Sequence, residues 1–198
     1  MKRQKDESIP EIINNSFLEA DAKIKQECKA RSGCTAVIAF VLEEMGIEDQ
    51  EKKYKLYTAN VGDARATLGR NEDAARMTYD HKGEDFQESL RITENGGFMI
   101  NNRVNGVLAV TRALGDSTMK RVVVGNPYVT VTTLDKENDV LILACDGLWD
   151  VCTDEQAVEI ARNSESAELA SSALLNFAMD NLSTDNISII VVRLDYFS

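Results

Sequence analysis

A run of six apolar residues at positions 140–145 leads directly into an Asp-Gly pair. A continuous apolar run of this length is typical of a strand that is buried on both faces. Asp146 therefore lies where a buried strand emerges into a turn, and Asp150 follows it after the only tryptophan, Trp149. A carboxylate so close to a core is costly unless something pairs with it, and Mg²⁺ or Mn²⁺ would suit because these ions prefer oxygen ligands. The alternative is a solvated acid in an Asp-Gly turn.

Length and charge limit the class of protein. A chain of 198 residues with 43% hydrophobic content can bury one sizeable core, so we expect a single domain over residues 1–198. The 22 basic and 33 acidic residues give a net charge of −11, which argues against nucleic acid or an anionic membrane as a partner. No apolar run nears the roughly 18 residues of a membrane span, and the first residues do not resemble a signal peptide. We expect a soluble protein of the cytoplasm or the nucleus.

The four cysteines do not suggest a zinc site. Cys28, Cys34, Cys145 and Cys152 show no Cys-x-x-Cys spacing and are accompanied by one histidine, His81. We expect all four to be reduced thiols.

The remaining patterns predict many short strands and a few helices. Apolar residues at helical spacing predict helices over 9–27, 85–95, 153–162 and 169–178, the third with a Thr-x-x-Gln capping box. Besides 140–145, strands are predicted over 34–42, 54–61, 64–68, 75–79, 98–100, 107–110, 128–134 and 187–194, with 34–42 and 187–194 buried. Gly62 and Asp63 predict a tight hairpin between two of them, and the acidic residues 43–51 predict an exposed loop. Since strict strand-helix-strand alternation is missing, the order predicts an α+β fold with antiparallel sheets.

Four acids are predicted at the ends of strands. Asp146 lies at the exit of one buried strand and Asp185 at the entrance of another, so their carboxylates converge if the two strands are antiparallel neighbours. Asp80 ends a third strand, and Asp150 follows Asp146 by one turn. Such a group can bind octahedral cations that activate water and neutralise an anionic substrate. On spacing alone, unrelated turn formers and helix caps are an equal alternative.

Seven short motifs follow one another from about Asn14 onward. They are Ser-Gly-Cys-Thr-Ala from residue 32, Ala-Asn-Val-Gly-Asp-Ala-Arg from 59, Asp-His-Lys from 80, Arg-Val-Asn-Gly from 103, Leu-Ala-Val-Thr-Arg-Ala-Leu-Gly-Asp from 108, Asp-Gly-Leu-Trp-Asp from 146 and Thr-Asp-Asn from 184. In this order and approximate spacing the chain resembles the metal-dependent protein Ser/Thr phosphatases of type 2C. It is most similar to the fungal enzymes that switch off stress-activated MAP kinases.

The resemblance implies a fold, an activity and a metal site. The fold would be a β-sandwich of two antiparallel sheets flanked by helices, in α-β-β-α layers. The activity would be hydrolysis of phosphoserine and phosphothreonine in phosphoproteins, among which a MAP kinase is a candidate, by direct attack of water activated at a dinuclear Mg²⁺ or Mn²⁺ centre. Asp146 and Asp185 match the metal ligands of the family, whereas Asp80 and Asp150 match acids of an additional, weaker metal.

The chain also departs from the family pattern. It lacks the N-terminal phosphate-binding Arg, the Glu-Asp pair and the Asp-Gly-His-Gly-Gly motif. We therefore expect an N-terminally truncated, partial catalytic domain that binds Mn²⁺ weakly and is less stable than an extended version. We expect it to hydrolyse a phosphothreonine peptide at least about a hundredfold more slowly than that version.

Two other functions compete with this interpretation. One is a weak or inactive remnant that acts as a binding or regulatory module. The other is a phosphotransferase with Asp146 as the nucleophile, which is less consistent with the sequence because that chemistry requires a second Asp at position 148, where this chain has Leu.

Three arginines are candidates for phosphate contact. Arg112 and Arg103 are the predicted phosphate-binding residues, and Arg65 is a third candidate, although we expect at least two of the three to pair with neighbouring acids. We interpret His81, and also Asp63 and Asp116 in their Gly-Asp turns, as structural.

Overall fold

The computed structural model describes residues 7–27, 32–45 and 52–194. Its helices and strands are α1 (Ile9–Glu27), β1 (Gly33–Cys34), β2 (Ala36–Met45), β3 (Lys52–Val61), β4 (Arg65–Arg70), β5 (Asp73–Arg76), α2 (Phe86–Glu94), β6 (Met99–Ile100), β7 (Arg103–Val104), β8 (Leu114–Gly115), β9 (Tyr128–Leu134), β10 (Asn138–Ala144), α3 (Asp146–Trp149), α4 (Asp154–Arg162), α5 (Ala167–Asp180) and β11 (Ile189–Arg193). Among these described residues, no helix is both long enough and apolar enough to cross a membrane.

The chain forms two compact units. The first comprises Met1–Ala36, Ala59–Asp63 and Asp80–Val129, and the second comprises the remaining segments. Each unit is therefore built from segments that are distant in the sequence. The expectation of a single domain stays a prediction.

A four-stranded antiparallel sheet in the order β11-β10-β4-β5 is the centre of the second unit. Its strand β10 has a neighbour on each side, and residues 140–144 are at most 8% exposed. Because both faces of β10 are covered from Val140 onward, every position from Val140 to Ala144 takes an apolar side chain. The prediction of a strand buried on both faces is confirmed.

Two apolar cores cover the two faces of this sheet. On one face, Leu68, Leu141 and Leu143 pack against Leu56 and Leu134 of the three-stranded sheet β2-β3-β9. On the other face, side chains of β10 pack against side chains of α3, α4 and α5. The buried residues of this second core are Val140, Ile142, Ala144, Leu148, Trp149, Cys152, Ala157, Val158, Ala161, Ala170, Leu174 and Ala178. The second unit thus has two sheets packed face to face with helices on the outer side of one.

The first unit has its own core beneath α2 and the short strands that follow. Ile92, Val104 and Val123 are fully buried there. Helix α1 belongs to the same unit, and its Asp21 binds the Lys120 ammonium group at 2.8 Å and the Gly115 backbone N–H at 2.7 Å. An acid on α1 therefore fixes the segment around β8.

Several local predictions are confirmed. Helix α1 has the predicted bounds, and β9 also spans the predicted residues. Asp85 caps α2 by accepting from the Glu88 N–H, and Thr153 and Gln156 form the predicted capping box of α4. An α+β fold with antiparallel sheets and packed helices is therefore the observed fold class.

Predictions about strand partners and burial were less successful. Gly62 and Asp63 do not close a hairpin, because β3 and β4 belong to different sheets. Residues 107–110 form no regular strand, whereas Arg103 and Val104, for which no strand was predicted, form β7 and pair with β6. Glu43 and Glu44 continue β2 and are not part of a loop, while the rest of the predicted acidic loop lies outside the described residues.

Two strands predicted to be buried lie at sheet edges. On β2, Ile38 and Leu42 are each 36% exposed, and on β11 Ile190 is 61% exposed. Both strands end the order of their sheets. Alternating residues of each strand pack against a core, Val37, Ala39 and Val41 on β2 and Ile189 and Val191 on β11, so each strand buries one face. Their apolar runs resemble that of β10 in sequence, but β10 is covered on both faces.

Candidate metal centre

The antiparallel pair β10–β11 brings two of the predicted acids to one edge of the sheet. Ala144, the last residue of β10, is paired with Ile189, the first residue of β11. Asp146 follows Ala144 by two residues, and Asp185 precedes Ile189 by four. The two acids therefore lie at the same end of neighbouring strands, which is the condition under which the sequence predicts that they converge.

Hydrogen bonds connect the two segments that carry the two acids. The Cys145 backbone N–H donates to the Ser188 carbonyl at 3.2 Å, and the Cys145 thiol donates to the Asn186 carbonyl at 3.1 Å. The Ser188 N–H in turn donates to the Cys145 sulphur at 3.2 Å. On the other side, the Ser183 hydroxyl donates to the Gly147 carbonyl at 2.6 Å. These bonds hold residues 183–188 against the end of β10.

The predicted ligands differ in their surroundings. Asp146 is half-buried and begins the four-residue helix α3, whereas Asp185 is exposed and accepts the Asn186 N–H at 2.6 Å. Asp150 is exposed at the end of α3. Asp80 belongs to the first unit and lies four residues beyond the end of β5, so it does not end that strand as predicted.

The donor chemistry at this edge fits a hard divalent cation. Asp146 and Asp185 offer carboxylate oxygens, and Mg²⁺ is commonly held by one or two carboxylates while it keeps several waters. In the part of the chain that the structure describes, no group of three or more His, Cys, Asp or Glu side chains is placed to hold a metal ion. The two acids therefore fit an open site with few protein ligands, and the assignment of all four acids as ligands stays a prediction.

The family of the chain follows from comparison with known proteins. The protein phosphatase 2C family model matches residues 2–187. The chain belongs to the protein phosphatase 2C family. The resemblance seen in the seven motifs is thereby confirmed.

Individual relatives agree with this assignment. Protein phosphatase 2C homolog 1 of Schizosaccharomyces pombe is 44% identical over 196 residues, which cover 98% of this chain and 55% of the relative. Protein phosphatase 2C homolog 1 of Saccharomyces cerevisiae is 41% identical over 193 residues, which cover 94% and 69%. A solved structure of a C. elegans sex determining protein matches with a TM-score of 0.81 at 27% identity, over 98% of this chain and 48% of that one. The type 2C chain described here thus spans about half the length of some of its relatives.

Arg65, one of the three candidate phosphate residues, is paired with an acid. Its guanidinium donates to Asp154 at 3.0 Å and lies 4.9 Å from the centre of the Trp149 ring. The Thr67 hydroxyl also donates to Asp154 at 2.8 Å. Two N–H groups of the Arg76 guanidinium donate to the same carboxylate at 2.8 Å and 2.6 Å. Burial raises the pKa of Asp154, but the bonds from Thr67 and Arg76 outweigh it, so the pKa is lowered overall.

Arg112 is also paired with an acid. It forms a bidentate contact with the buried carboxylate of Glu88, at 3.0 Å and 2.6 Å, and Arg91 and Thr111 donate to the same carboxylate at 2.9 Å and 2.7 Å. Burial alone would raise the pKa of Glu88. The hydrogen bonds, of which that from Arg112 has the largest effect, lower the pKa to about 2. The expectation that at least two of the three arginines pair with acids is confirmed.

Arg103 is more accessible. It is exposed, and its guanidinium donates to the Val107 carbonyl at 2.8 Å. Phosphate contact by Arg103 and Arg112 stays a prediction.

The residues interpreted as structural have structural contacts. His81 is fully buried, and because a carbonyl only accepts, its Nδ1 carries the proton that is donated to Gly62 at 3.0 Å. Burial, assisted by the charge of Arg112, lowers the pKa of His81 to about 4. Asp63 is buried 3.8 Å from the Lys82 ammonium group, and Asp116 has a φ of 47° in its turn.

Sequence reasoning missed the two buried carboxylates, Glu88 and Asp154. Glu88 lies one helical turn before the fully buried Ile92, so an acid on the apolar face of α2 was the available signal. Asp154 follows the helix cap Thr153 and resembles an ordinary first-turn acid. Nothing in its local sequence indicates Arg65, which precedes it by 89 residues.

Proposed function

We propose that this protein hydrolyses phosphoserine and phosphothreonine in other proteins with the help of Mg²⁺ or Mn²⁺. The observation that supports the proposal is the pairing of β10 with β11, after and before which Asp146 and Asp185 lie at the same end of the sheet, in a type 2C chain. Two carboxylates at a sheet edge suit a hard cation, and the exposure of Asp185 leaves that edge open to a large substrate.

The two acids have distinct roles in this proposal. Asp146 would hold the cation from a half-buried position at the end of the central strand, where the core fixes its backbone. Asp185 would hold it from the loop that is bonded to Cys145 and Gly147. A divalent cation supplies Lewis-acid chemistry when bound, because it neutralises phosphate charge and makes water more acidic. For Asp150 and Asp80, a role in binding a further, weaker cation is proposed from the family resemblance alone.

The arginines would contribute to phosphate binding. Arg103 is the stronger candidate because it is exposed and its guanidinium donates to a neutral carbonyl, that of Val107. Arg112 would have to contact phosphate while it remains paired with Glu88.

The proposed substrates are phosphoproteins. A MAP kinase is the candidate to test first, given the resemblance to fungal type 2C enzymes that act on stress-activated MAP kinases. We propose the cytoplasm or the nucleus as the compartment.

The test is calorimetric titration of the full chain with Mn²⁺. We expect Asp146→Asn and Asp185→Asn each to weaken binding at least about tenfold, since even the outer-shell partners of metal ligands change affinity by about 10- to 100-fold. Asp73→Asn is the matched control because Asp73 is exposed and, in the strand register, lies at the opposite end of the same sheet.

Phosphate release from a phosphothreonine peptide, measured with the same proteins, tests the reaction. We expect release by the wild type and by Asp73→Asn, and none above background by Asp146→Asn. Equal Mn²⁺ binding by all four proteins would refute the ligand assignment. Peptide binding without phosphate release would favour the binding module over the enzyme.

A further inference from the structure

We propose that Cys145, Gly147 and Ser183 act as a clip that positions Asp185 against Asp146, and that this clip sets the affinity of the edge for a divalent cation. The inference rests on the proposed function, because it assumes that these two acids bind the cation. It assigns positioning roles to three residues that carry no charge and that need not touch the cation.

The contacts of the clip connect the chain neighbours of one acid to those of the other. Cys145 precedes Asp146 and binds Asn186, which follows Asp185. On the other side, Gly147 follows Asp146 and accepts from Ser183, two residues before Asp185. Hydrogen bonds therefore connect the two segments on either side of the two acids.

One thiol accounts for two of these bonds. Cys145 donates its S–H to the Asn186 carbonyl and accepts the Ser188 N–H, so a single side chain is bonded to the loop on either side of Ile187. A cysteine sulphur can be both a weak donor and a weak acceptor, which permits this arrangement. A hydroxyl in the same place could make the same two bonds, whereas a methyl group could make neither.

Gly147 is required by the closeness of the two segments. A Cβ added to Gly147 would overlap the carbonyl oxygen of Asn186, a backbone atom that cannot rotate away. Gly147 is also buried within α3, so its side of the contact is fixed by the core. The absence of a side chain at position 147 allows residues 183–188 to lie directly on the start of α3.

The clip matters because the ladder of β11 does not reach Asp185. Regular pairing with β10 begins at Ile189, and Asp185 itself is exposed. Without the clip, the position of Asp185 would depend on four residues outside the regular strand. Since outer-shell contacts orient metal ligands and typically change metal affinity by about 10- to 100-fold, loss of the clip should weaken cation binding.

The test uses the full chain and two single substitutions, Cys145→Ala and Ser183→Ala. We expect each to raise the Kd for Mn²⁺ by about tenfold in calorimetric titration, which corresponds to about 1.4 kcal/mol. This is the low end of the range, because each bond is made to the backbone beside an acid and not to its carboxylate. Cys145→Ser should restore most of the affinity because its hydroxyl can replace both bonds. Gly147→Ala should have the largest effect if the variant folds.

Ser164→Ala is the matched control. The Ser164 hydroxyl also donates to a backbone carbonyl, that of Ile160, at 2.8 Å, and it is likewise partly buried. It lies in the connection between α4 and α5, away from both acids in sequence. We expect Ser164→Ala to leave the Kd for Mn²⁺ unchanged even where it lowers the thermal midpoint.

Hydrogen exchange provides a readout that does not depend on activity. In metal-free protein, Cys145→Ala should speed the exchange of the Ser188 amide, whose acceptor it removes, while amides within α5 exchange as in the wild type. A structural role without positioning would lower stability but leave the Kd for Mn²⁺ unchanged.

The outcomes distinguish this inference from the proposed function. If Asp146→Asn weakens Mn²⁺ binding but Cys145→Ala and Ser183→Ala do not, the clip is refuted and the metal site stands. If Asp146→Asn has no effect on binding, the proposed function fails first.

Discussion

Replacement of Glu88 by Gln should destabilise the protein by about 3 kcal/mol at neutral pH. Glu88 is 4% exposed, and three side chains donate to its carboxylate. Glutamine keeps the shape of the side chain but removes the charge, so it imitates the protonated acid. The substitution therefore measures what the charge contributes to stability.

The magnitude follows from the pKa. The pKa of Glu88 is lowered from 4.5 to about 2, because the bonds from Arg112, Arg91 and Thr111 outweigh the effect of burial. At about 1.36 kcal/mol per pKa unit, the ionised form is favoured by about 3.4 kcal/mol in the folded state. This agrees with the cost of roughly 3 to 5 kcal/mol for removing one partner of a buried ion pair.

The direction of the pH dependence follows from the difference between the pKa of Glu88 in the folded protein and in the unfolded chain. A carboxyl group with a lowered pKa in the folded state contributes its full stabilisation above the pKa of the unfolded chain, near 4.5, and loses it as the pH falls towards 2. Glutamine does not titrate. The difference in unfolding free energy between wild type and Glu88→Gln should therefore shrink by about 1.4 kcal/mol between pH 7 and pH 3.5.

The assay is urea unfolding of both proteins, followed by circular dichroism at several pH values. Glu94→Gln is the control, because Glu94 is an exposed acid of the same helix and its replacement should change stability by less than about 0.5 kcal/mol. A difference for Glu88→Gln that stays constant from pH 7 to pH 3.5 would refute the link between the charge and the stability. A difference as small as that of Glu94→Gln would refute the buried ion cluster itself.

Two further substitutions test the other buried ionisable groups. The pKa of His81 is lowered from 6.5 to about 4 in the folded protein. As the pH falls, the histidine is therefore protonated in the unfolded chain before it is protonated in the folded one. Wild-type stability should consequently fall by up to about 3 kcal/mol as the pH drops from 6.5 to 4. In urea unfolding, His81→Gln should be less stable at pH 7 but should lose less stability over that interval; an equal loss would show that other groups cause it. Asp154→Asn leaves the buried Arg65 without its carboxylate and should cost about 3 to 5 kcal/mol at pH 7, whereas the exposed neighbour Glu155→Gln should be nearly neutral. Similar midpoints for Asp154→Asn and Glu155→Gln would contradict this.

Local sequence signals predicted the elements well and their partners poorly. Helix α4 begins where its capping box predicts, because a cap is a contact between residues three positions apart. The turn at Gly62 was misinterpreted because a short polar break between two apolar runs looks the same whether the strands pair or pass to different sheets. The pairing is decided by β10, which lies about seventy residues later in the chain and takes β4 as its neighbour.

The candidate site shows the same limit. The sequence predicted Asp146 and Asp185 near strand ends, but it could not show that the two strands are antiparallel neighbours, which is what puts both acids at the same end of the sheet. The clip was not foreseen, since Cys145 and Ser183 look like ordinary buried and turn residues. The burial of Glu88 had a local signal, its place on the apolar face of α2, but its main partner Arg112 lies 24 residues away and had none.

The ion cluster around Glu88 also bears on which arginine should contact phosphate. With a pKa of about 2, Glu88 stays ionised at any physiological pH, so Arg112 always has a bidentate anionic partner. A third N–H of Arg112 donates to the Asn126 carbonyl at 3.1 Å. A phosphate at Arg112 would therefore have to share or displace bonds that we expect to stabilise the fold by several kcal/mol. A phosphate at the exposed Arg103 would compete with a bond to a neutral carbonyl, which costs less to displace. Loss of stability on replacement of Arg112 would consequently be no sign of a catalytic role. Arg103 is the better arginine to replace in a test of phosphate contact, because its replacement removes a bond to a neutral carbonyl and leaves the ion cluster intact.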